Sequence, residues 1–334
     1  MFSVSVKKCL YPVALVLVLV VWWQSVPSFG ALYSQFWSEA LTMVLGAFVA
    51  GSTPMGGGAV AFPVLTKLLD YSAYDARLFS LMIQSVGMTC ASLLFIGLGR
   101  KIYWRDILAG MVLSGVVVVV VIPFAQVPDA LAKSIFTVFE LVALGVLVFS
   151  LSQFRVHHAH ARNAVLYVFA IVGGILSATI GSGADVMMFI YLVAMRKVSP
   201  VEAIPTTVVF MALNALIAAG VSWQQALFTP PLVTAWLAAV PVVAIAAPLG
   251  GFVIGLVPAH WVLRFIIVLV IADLTSTLLM SGLPSLFNTL VVAVLLGFVL
   301  LKLFQKAESK KPKVEVLNLR EKRATKLSAD YISI

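Results

Sequence analysis

The sequence predicts an all-α polytopic membrane protein built from two inverted repeats, and three observations lead to this prediction. Hydrophobic residues make up 62% of the 334 residues and charged residues 10%, with a mean hydropathy of +1.10, whereas soluble domains are about 45–50% apolar and about 25% charged. Apolar stretches of roughly 20 residues, the length that crosses a bilayer core, recur along almost the whole chain. Two glycine clusters, GSTPMGGGAVAFP at 51–63 and GSGADVMMF at 181–189, interrupt long apolar regions.

The apolar segments, taken in order, each predict one helix. The first segment follows Lys7 and Lys8 and predicts an N-terminal transmembrane helix or signal anchor within residues 1–30. Ser28-Phe29-Gly30 is a weak match to a cleavage site, and we expect the helix to be retained. The segments are 9–24, 38–55, 57–69, 76–98, 106–126, 131–152, 164–180, 184–196, 201–221, 232–257, 261–281 and 285–304.

Two of these segments are too short to cross the bilayer. Residues 57–69 and 184–196 number 13 each, and as helices they rise about 20 Å against a hydrocarbon core of about 30 Å. Each directly follows a glycine cluster. A short helix that begins at a break and returns to the surface it came from forms a re-entrant hairpin, which is tolerated only where protein buries its backbone or where it lines a cavity. The glycine clusters are therefore predicted to be the tips of two hairpins.

The positions of Lys and Arg orient this path, because cytoplasmic loops collect positive charge. With Lys7 and Lys8 inside, the first hairpin starts and ends outside, and the loop at 223–231 is also outside. The outer loop after the first hairpin carries Lys67, Asp70, Asp75 and Arg77, whose charges cancel. The segments placed in the cytoplasm carry Arg100, Lys101 and Arg105, the run 153–163, Arg196 and Lys197, and the basic tail 305–334.

The tail also explains much of the net charge of +9, since it holds eight Lys or Arg against four Asp or Glu. We therefore do not expect nucleic acid as a partner. The prediction is a multi-pass protein of the bacterial inner (plasma) membrane with its C-terminal tail in the cytoplasm, and no oligomeric state is predicted.

The same path divides the chain into two repeats of opposite orientation. Residues 38–152 contain one hairpin and three crossings that start outside, and residues 164–281 repeat this pattern from inside, followed by a last helix at 285–304. Inverted repeats whose broken helices meet near the midplane are typical of secondary transporters. The N-terminus of each short helix, with unpaired N–H groups and a partial positive charge, then points into the protein and predicts an anion site.

Particular residues also resemble a known family. The triplet at 56–58 with Pro63, the second glycine cluster, and the stretch APLGGFVIGLVPAHWVLRFIIVLVI at 247–271 are similar to those of the TauE/SafE family, the sulfite exporter type, over roughly residues 38–304. The resemblance implies export of sulfite, small organosulfonates or related anions, without an ATPase or a cofactor. The sequence departs from the family pattern at three positions of the second hairpin, and an acid there would compete with a bound anion. These positions are Ser182 in place of the middle glycine, Asp185, and Met188 where the first half has Pro63.

The residues predicted to contact the substrate are the two tips and polar side chains on the helices that follow them. The tip backbone would hold the anion. The side chains either donate to an oxyanion or form hydrogen bonds between helices. The set is Gly56, Gly57, Gly58, Gly181, Ser182, Gly183, Gln84, Ser85, Thr206, Thr207 and Asn214.

Three acidic residues lie within apolar segments, where an ionised carboxylate costs at least a few kcal/mol. Asp185 either caps its own helix or handles a proton or ion. Glu140 and Asp273, each in the last helix of its repeat, predict proton coupling, with a structural hydrogen bond as the alternative. Three buried acids without a buried base would also bind a positively charged substrate. The alternative function is therefore a proton-coupled cation or metal-ion transporter.

Other classes of function fit the sequence less well. Intramembrane aspartyl proteases carry GxGD, whereas 181–185 reads GSGAD, and the additional residue turns the aspartate by about 100° on a helix. A non-transporting subunit has no need of broken helices. No disulfide or metal site is predicted for Cys9 and Cys90, or for the basic loop with His157, His158 and His160. We therefore expect a transporter rather than an enzyme, with the lipid bilayer and a small anion as its partners.

Overall fold

The structure, a computed structural model, describes residues 4–152 and 163–254 together with residues 256, 264, 267–268 and 270–276. The chain divides into two compact units, Met1–Leu283 and Pro284–Ile334, and all described residues lie in the first. The predicted helix 285–304, the tail 305–334 and the three loop histidines at 157, 158 and 160 lie outside the described residues.

Within the described ranges every regular element is helical. The π-helical turn Tyr191–Met195 continues α8, and the 3-10 turn Ile122–Phe124 continues α5; residues 270–276 are also helical. The helices are α1 Val4–Ser25, α2 Phe29–Ser52, α3 Gly58–Lys67, α4 Ala73–Gly97, α5 Trp104–Val121, α6 Asp129–Ser152, α7 Asn163–Ile180, α8 Ala184–Ile190, α9 Pro200–Gln224 and α10 Pro230–Val253.

Five spans among these helices are long and apolar enough to cross a membrane: Lys7–Ser25, Ala73–Gly97, Trp104–Phe124, Pro200–Gln224 and Pro230–Val253. Together with the absence of strands from the described residues, they confirm an all-α, multi-pass membrane protein. The predicted helix positions agree with these spans because uninterrupted apolar length is the strongest sequence signal for a transmembrane helix.

Helix α2 begins nine residues before its predicted start, which was residue 38. Ser28 caps its N-terminus by accepting the Ala31 N–H at 3.5 Å, and Phe36 departs from helical geometry with φ −120° and ψ 27°. The short piece before this kink packs Leu32 into an apolar cluster with Ala238 of α10. The sequence missed it because polar residues divide the apolar run before position 38.

The two short helices are present, and each follows a break with a glycine in left-handed geometry. Gly56, with φ 67°, precedes the 10-residue α3, and Gly181, with φ 76°, precedes the 7-residue α8. An L-residue adopts this conformation only at a cost, so glycine is the residue that allows the chain to turn here. At about 1.5 Å per residue, α3 rises only about 15 Å.

The helices after the breaks, α4 and α9, are alike in length and in their start. Each has 25 residues. Ser72 accepts the Asp75 N–H at 3.0 Å, and Ser199 accepts the Glu202 N–H at 3.3 Å. A serine that caps the third residue of a helix satisfies one of its orphan donors, and the acid there suits the positive end of the helix dipole. Both helices bury most of their length in the middle of the bundle.

Hydrogen bonds at the helix ends identify elements that share one face of the bundle. Tyr71, just after α3, donates from its Oη to Glu39 Oε1, three residues after the Phe36 kink of α2, at 2.7 Å. Burial raises the pKa of Tyr71, and the hydrogen bond to Glu39 raises it further, so the phenol remains a donor. The Ala73 N–H donates to Asp129 Oδ1 at 3.0 Å and joins the starts of α4 and α6.

Ion pairs join a second set of loops. Lys101, between α4 and α5, lies 3.8 Å from Glu202 in the first turn of α9. Arg196, just after the π turn, pairs with Asp106 at the start of α5. The loop after α4 and the segment between α8 and α9 therefore lie at the same face of the bundle.

Candidate functional site

The two helix breaks, around Gly56 before α3 and around Gly181 before α8, contact each other in the protein interior. They are called the first and the second tip below. Ser182 Oγ donates to the Met55 carbonyl oxygen at 3.4 Å, and both residues are buried. A Cβ added to Gly58 would stand 2.7 Å from Ser182 Cβ. The two backbones can approach this closely only because Gly58 has no side chain.

One face of α4 runs along both tips. Arg77, Ser80 and Gln84 are spaced three and four residues apart, which places them on the same side of the helix, and all three are buried. A Cβ on Gly181 would stand 2.7 Å from the Arg77 carbonyl oxygen and 3.1 Å from Ser80 Cβ. Gln84 Nε2 donates to Gly181 O at 2.8 Å and to the carbonyl and hydroxyl oxygens of Ser80 at 3.0 and 2.9 Å. The stripe thus fixes the second tip against α4.

Two buried oxygens converge on the first tip at Gly56. Its missing Cβ would stand 3.3 Å from Gln84 Oε1 and would collide with Asp185 Oδ2. Neither oxygen accepts a hydrogen bond within the described part of the chain. The other oxygen of Asp185, Oδ1, accepts the N–H groups of Val186 at 3.0 Å and Gly183 at 3.3 Å.

Asp185 therefore has two distinct oxygens, one that caps α8 and one that faces the first tip. The cap places a carboxylate at the N-terminus of α8, one of the two helix ends predicted to hold an external anion. Acceptor oxygens that lack a donor attract a proton, a water molecule or a cation.

Arg77 is a buried base that the sequence analysis missed. It is 1% exposed, and its Nη1 donates to Ala125 O at 2.6 Å and Ala178 O at 2.8 Å. Its Nε and Nη2 form no hydrogen bond of good geometry within the described residues. The side chain of Tyr74 is its polar neighbour, with the ring 4.6 Å from the guanidinium carbon. The positive-inside rule assigns Arg77 to an outer loop. The polar stripe that it forms with Ser80 and Gln84 at helical spacing is the sequence signal for its burial.

Lys67 at the end of α3 is a second buried base. Its Nζ donates to Asp273 Oδ1 at 2.6 Å, to Asp273 O at 3.1 Å and to Ser276 Oγ at 2.9 Å. Thr137 Oγ1 donates to Asp273 Oδ2 at 2.9 Å. Glu140, one turn further along α6, is buried among the same charges, with Asp273 and Lys67 as its electrostatic neighbours. The structure thus brings Glu140 and Asp273 together, next to a base.

Arg77 and Lys67 contradict the expectation that the apolar interior contains acids without a base. Both cations are less than 9% exposed. The charge count failed because it treated residues near helix ends as solvated, whereas these two side chains turn inward to partners far along the chain.

A cavity of about 280 Å³ lies beside the Lys67–Asp273 pair. Its walls are apolar side chains of α2 and α3 together with Lys67, Asp273 and Ser276. Because the two charged groups bind each other, this cavity is a weaker candidate for a charged substrate than the tips.

The other predicted donors, Ser85, Thr206, Thr207 and Asn214, form hydrogen bonds within or between helices. In the described ranges no hydrogen bond joins them to a tip. Their partners are Met82 O for Ser85 (2.7 Å), the Tyr103 N–H for Thr206 (3.1 Å), Ile204 O for Thr207 (2.9 Å) and Ser114 Oγ for Asn214 Oδ1 (2.6 Å). Nor do three His, Cys, Asp or Glu side chains cluster as a metal site anywhere in the described ranges.

Comparison with known proteins gives a family match over most of this architecture. A family model described as sulfite exporter TauE/SafE matches residues 39–273. No curated protein and no solved structure matches the chain. The matched range contains both glycine tips, the α4 stripe and the predicted coupling acids at 140, 185 and 273.

Proposed function

The chain belongs to the sulfite exporter TauE/SafE family, and we propose that it is a secondary transporter of sulfite, organosulfonates or related small oxyanions. The observation that carries the proposal is the contact between the two helix breaks, at residues 56–58 and 181–183, inside the bundle. Broken helices that meet in the interior are how secondary transporters expose backbone groups to a substrate. Such a transporter uses ion or substrate gradients and needs neither ATP nor a cofactor.

The proposal includes the two inverted repeats predicted from the sequence, 38–152 and 164–281. Matched features support them: each short helix follows a glycine with positive φ, at Gly56 and Gly181. The two helices that come next share their length and their serine cap, at Ser72 and Ser199. An inverted repeat gives such a protein two related halves that can move against each other around one site.

We place the protein in the bacterial inner membrane with its C-terminal tail in the cytoplasm. The contacts of Lys101 with Glu202 and of Arg196 with Asp106 support this path. They join two loops that the positive-inside rule assigns to the same, cytoplasmic side.

The proposed substrate site is the junction of the tips, with Gln84 and Ser80 from α4 beside it. An oxyanion there would accept hydrogen bonds from backbone N–H groups at the start of α3. These groups lack a side-chain acceptor because the N-cap residue is Gly57. The remaining predicted donors on α9 would join the site only after a movement of that helix.

Asp185 and the pair of Glu140 and Asp273 are the proposed coupling residues. Export of an anion from a cell with a negative interior gains about 2.3 kcal/mol per charge per 100 mV from the membrane potential. Export therefore needs no coupled ion, and a proton on one of these acids would serve uptake or set the direction. The cation-transporter alternative is less well supported, since Lys67 and Arg77 add positive charge to the interior.

Flux into proteoliposomes tests the proposal. Purified protein in liposomes should carry sulfite and a short alkylsulfonate with saturable kinetics, and protein-free liposomes should not. The same flux measurement with sulfate, phosphate, chloride, Mn²⁺ and Zn²⁺ shows which ions the protein transports. Saturable flux of the metal ions without flux of any oxyanion would overturn the proposal.

A further inference from the structure

We propose that Arg77 is the cationic ligand of the transported oxyanion and binds two of its oxygens through Nε and Nη2. This inference rests on the proposed function. The residues at the junction of the tips carry no positive charge, and Arg77 would supply one to the bound oxyanion. Its starting point is a charge without a counter-ion. In the described part of the chain Arg77 forms no ion pair with any acid, although it is 1% exposed.

A guanidinium stays protonated in proteins, so Arg77 cannot escape burial by losing its proton. Hydrogen bonds from Nη1 to the carbonyl oxygens of Ala125 and Ala178 offset part of its positive charge. Ala178 lies in the last turn of α7, where the carbonyl end of the helix dipole is negative. Partial charges of this kind do not replace a full counter-charge, and a buried, uncompensated cation is costly.

The two nitrogens left over form one edge of the guanidinium. Nε–H and an N–H of Nη2 point in parallel and match two oxygens of a carboxylate, sulfonate, sulfite or phosphate. Spherical halides cannot use both donors with the same geometry. The free edge therefore predicts a ligand class, an anion with at least two oxygens on one centre.

Arg77 lies beside the second tip. The Arg77 backbone packs directly on Gly181, and Ser80, one turn further along the helix, lies against both Gly181 and Gly58. The free nitrogens are covered in this structure. Binding of an anion at this edge therefore requires the tips and α4 to separate.

The first experiment compares Arg77→Lys and Arg77→Gln with the matched exposed variant Arg100→Lys in proteoliposomes. Lysine keeps the charge but loses the paired donors, so KM for an alkylsulfonate should rise about tenfold or more, with a smaller change in the maximal rate. Arg100→Lys should keep the wild-type KM. An unchanged KM in both Arg77 variants would refute the role of Arg77. Absence of oxyanion flux in the wild type would instead refute the proposed function.

A second measurement covers the case in which the Arg77 variants do not fold. Wild-type proteoliposomes are treated with phenylglyoxal, an arginine reagent, and modification of Arg77 is followed by peptide mapping. An alkylsulfonate should slow the modification of Arg77 severalfold relative to chloride at equal ionic strength, while Arg100 reacts equally in both. Lack of protection, or lack of any reaction at Arg77 during turnover, would argue for a purely structural arginine.

Discussion

The side-chain amide of Gln84 donates a hydrogen bond to the carbonyl oxygen of Gly181 at 2.8 Å, across 97 positions of sequence. The same amide nitrogen contacts Ser80, so the amide orientation is fixed and Oε1 must face Gly56 at the other tip. One side chain therefore contacts both helix breaks. A movement of the second tip away from α4 has to break its hydrogen bond to Gly181 O.

Gln84→Met should lower transport strongly and destabilise the protein. Methionine has a similar volume but cannot donate to Gly181 O, and a buried carbonyl left without a donor costs about 1–3 kcal/mol. Thermal unfolding in detergent and flux in liposomes measure the two effects. Ser85→Ala is the matched control on the adjacent position, because Ser85 bonds only to its own helix. Wild-type flux in Gln84→Met would exclude a role for Gln84 at the junction.

The close approach of Gly58 to Ser182 makes a compensating pair possible. A Cβ added at Gly58 would stand 2.7 Å from Ser182 Cβ, closer than two carbon atoms can approach. Gly58→Ala should therefore push the tips apart and abolish most transport. Ser182→Gly in the same protein removes the clash and should restore flux to at least half of the wild-type rate.

The control for this pair is Gly30→Ala, since no heavy atom lies within 4 Å of a Cβ there. It should leave flux and thermal stability unchanged. If Ser182→Gly does not rescue Gly58→Ala, the loss of transport has another origin than the contact between the tips.

Helix positions could be read from the sequence, whereas the partners of buried polar groups could not. Apolar length and the glycine clusters indicated every described helix within a few residues, except for the start of α2. The burial of Lys67 and Arg77 was missed because their partners are remote: Asp273 lies 206 positions from Lys67, and Ala178 lies 101 positions from Arg77. A basic residue near a helix end either reaches the interface or turns inward, and the sequence around it does not distinguish the two.

The Lys67–Asp273 pair predicts a clear double-mutant result. Lys67→Met removes the cation that contacts the buried Asp273 carboxylate, which should cost about 3–5 kcal/mol of stability. Lys67→Met combined with Asp273→Leu removes both charges and should recover most of that loss in thermal unfolding. Lys101→Met breaks only an exposed pair with Glu202 and should change stability little. Equal destabilisation by the single and the double variant would contradict a buried, coupled pair.

The proposed path through the membrane predicts opposite sidedness for two exposed loops. In a background without Cys9 and Cys90, Arg100→Cys should react with a membrane-impermeant thiol reagent only from the cytoplasmic side. Gln225→Cys, in the loop after α9, should react only from outside. Both positions are exposed, so labelling reports sidedness and not burial. Labelling of both from one side would exclude the proposed inverted repeats.

The two oxygens of Asp185 allow its charge to be removed without removing the cap. The variant Asp185→Asn keeps Oδ1 as an acceptor for the N–H groups of Gly183 and Val186. The substitution replaces Oδ2, which faces Gly56 without a donor, by a neutral amide group. An ionised Asp185 next to the tips repels a bound anion, and protonation removes this repulsion. Wild-type affinity for an alkylsulfonate should therefore increase as pH falls, while Asp185→Asn should bind it equally well throughout.

The measurement is alkylsulfonate flux over a pH series in liposomes clamped at zero potential. An alkylsulfonate is preferable to sulfite here, because it stays a monoanion while sulfite itself changes protonation near neutral pH. Glu202→Gln, which removes an exposed acid from the first turn of α9, should keep the wild-type pH profile. If Asp185→Asn also keeps that profile, Asp185 is only a helix cap. If the wild type does not respond to pH at all, proton coupling is excluded for this substrate, and the buried acids must be explained by the packing of the tips and the Lys67–Asp273 pair alone.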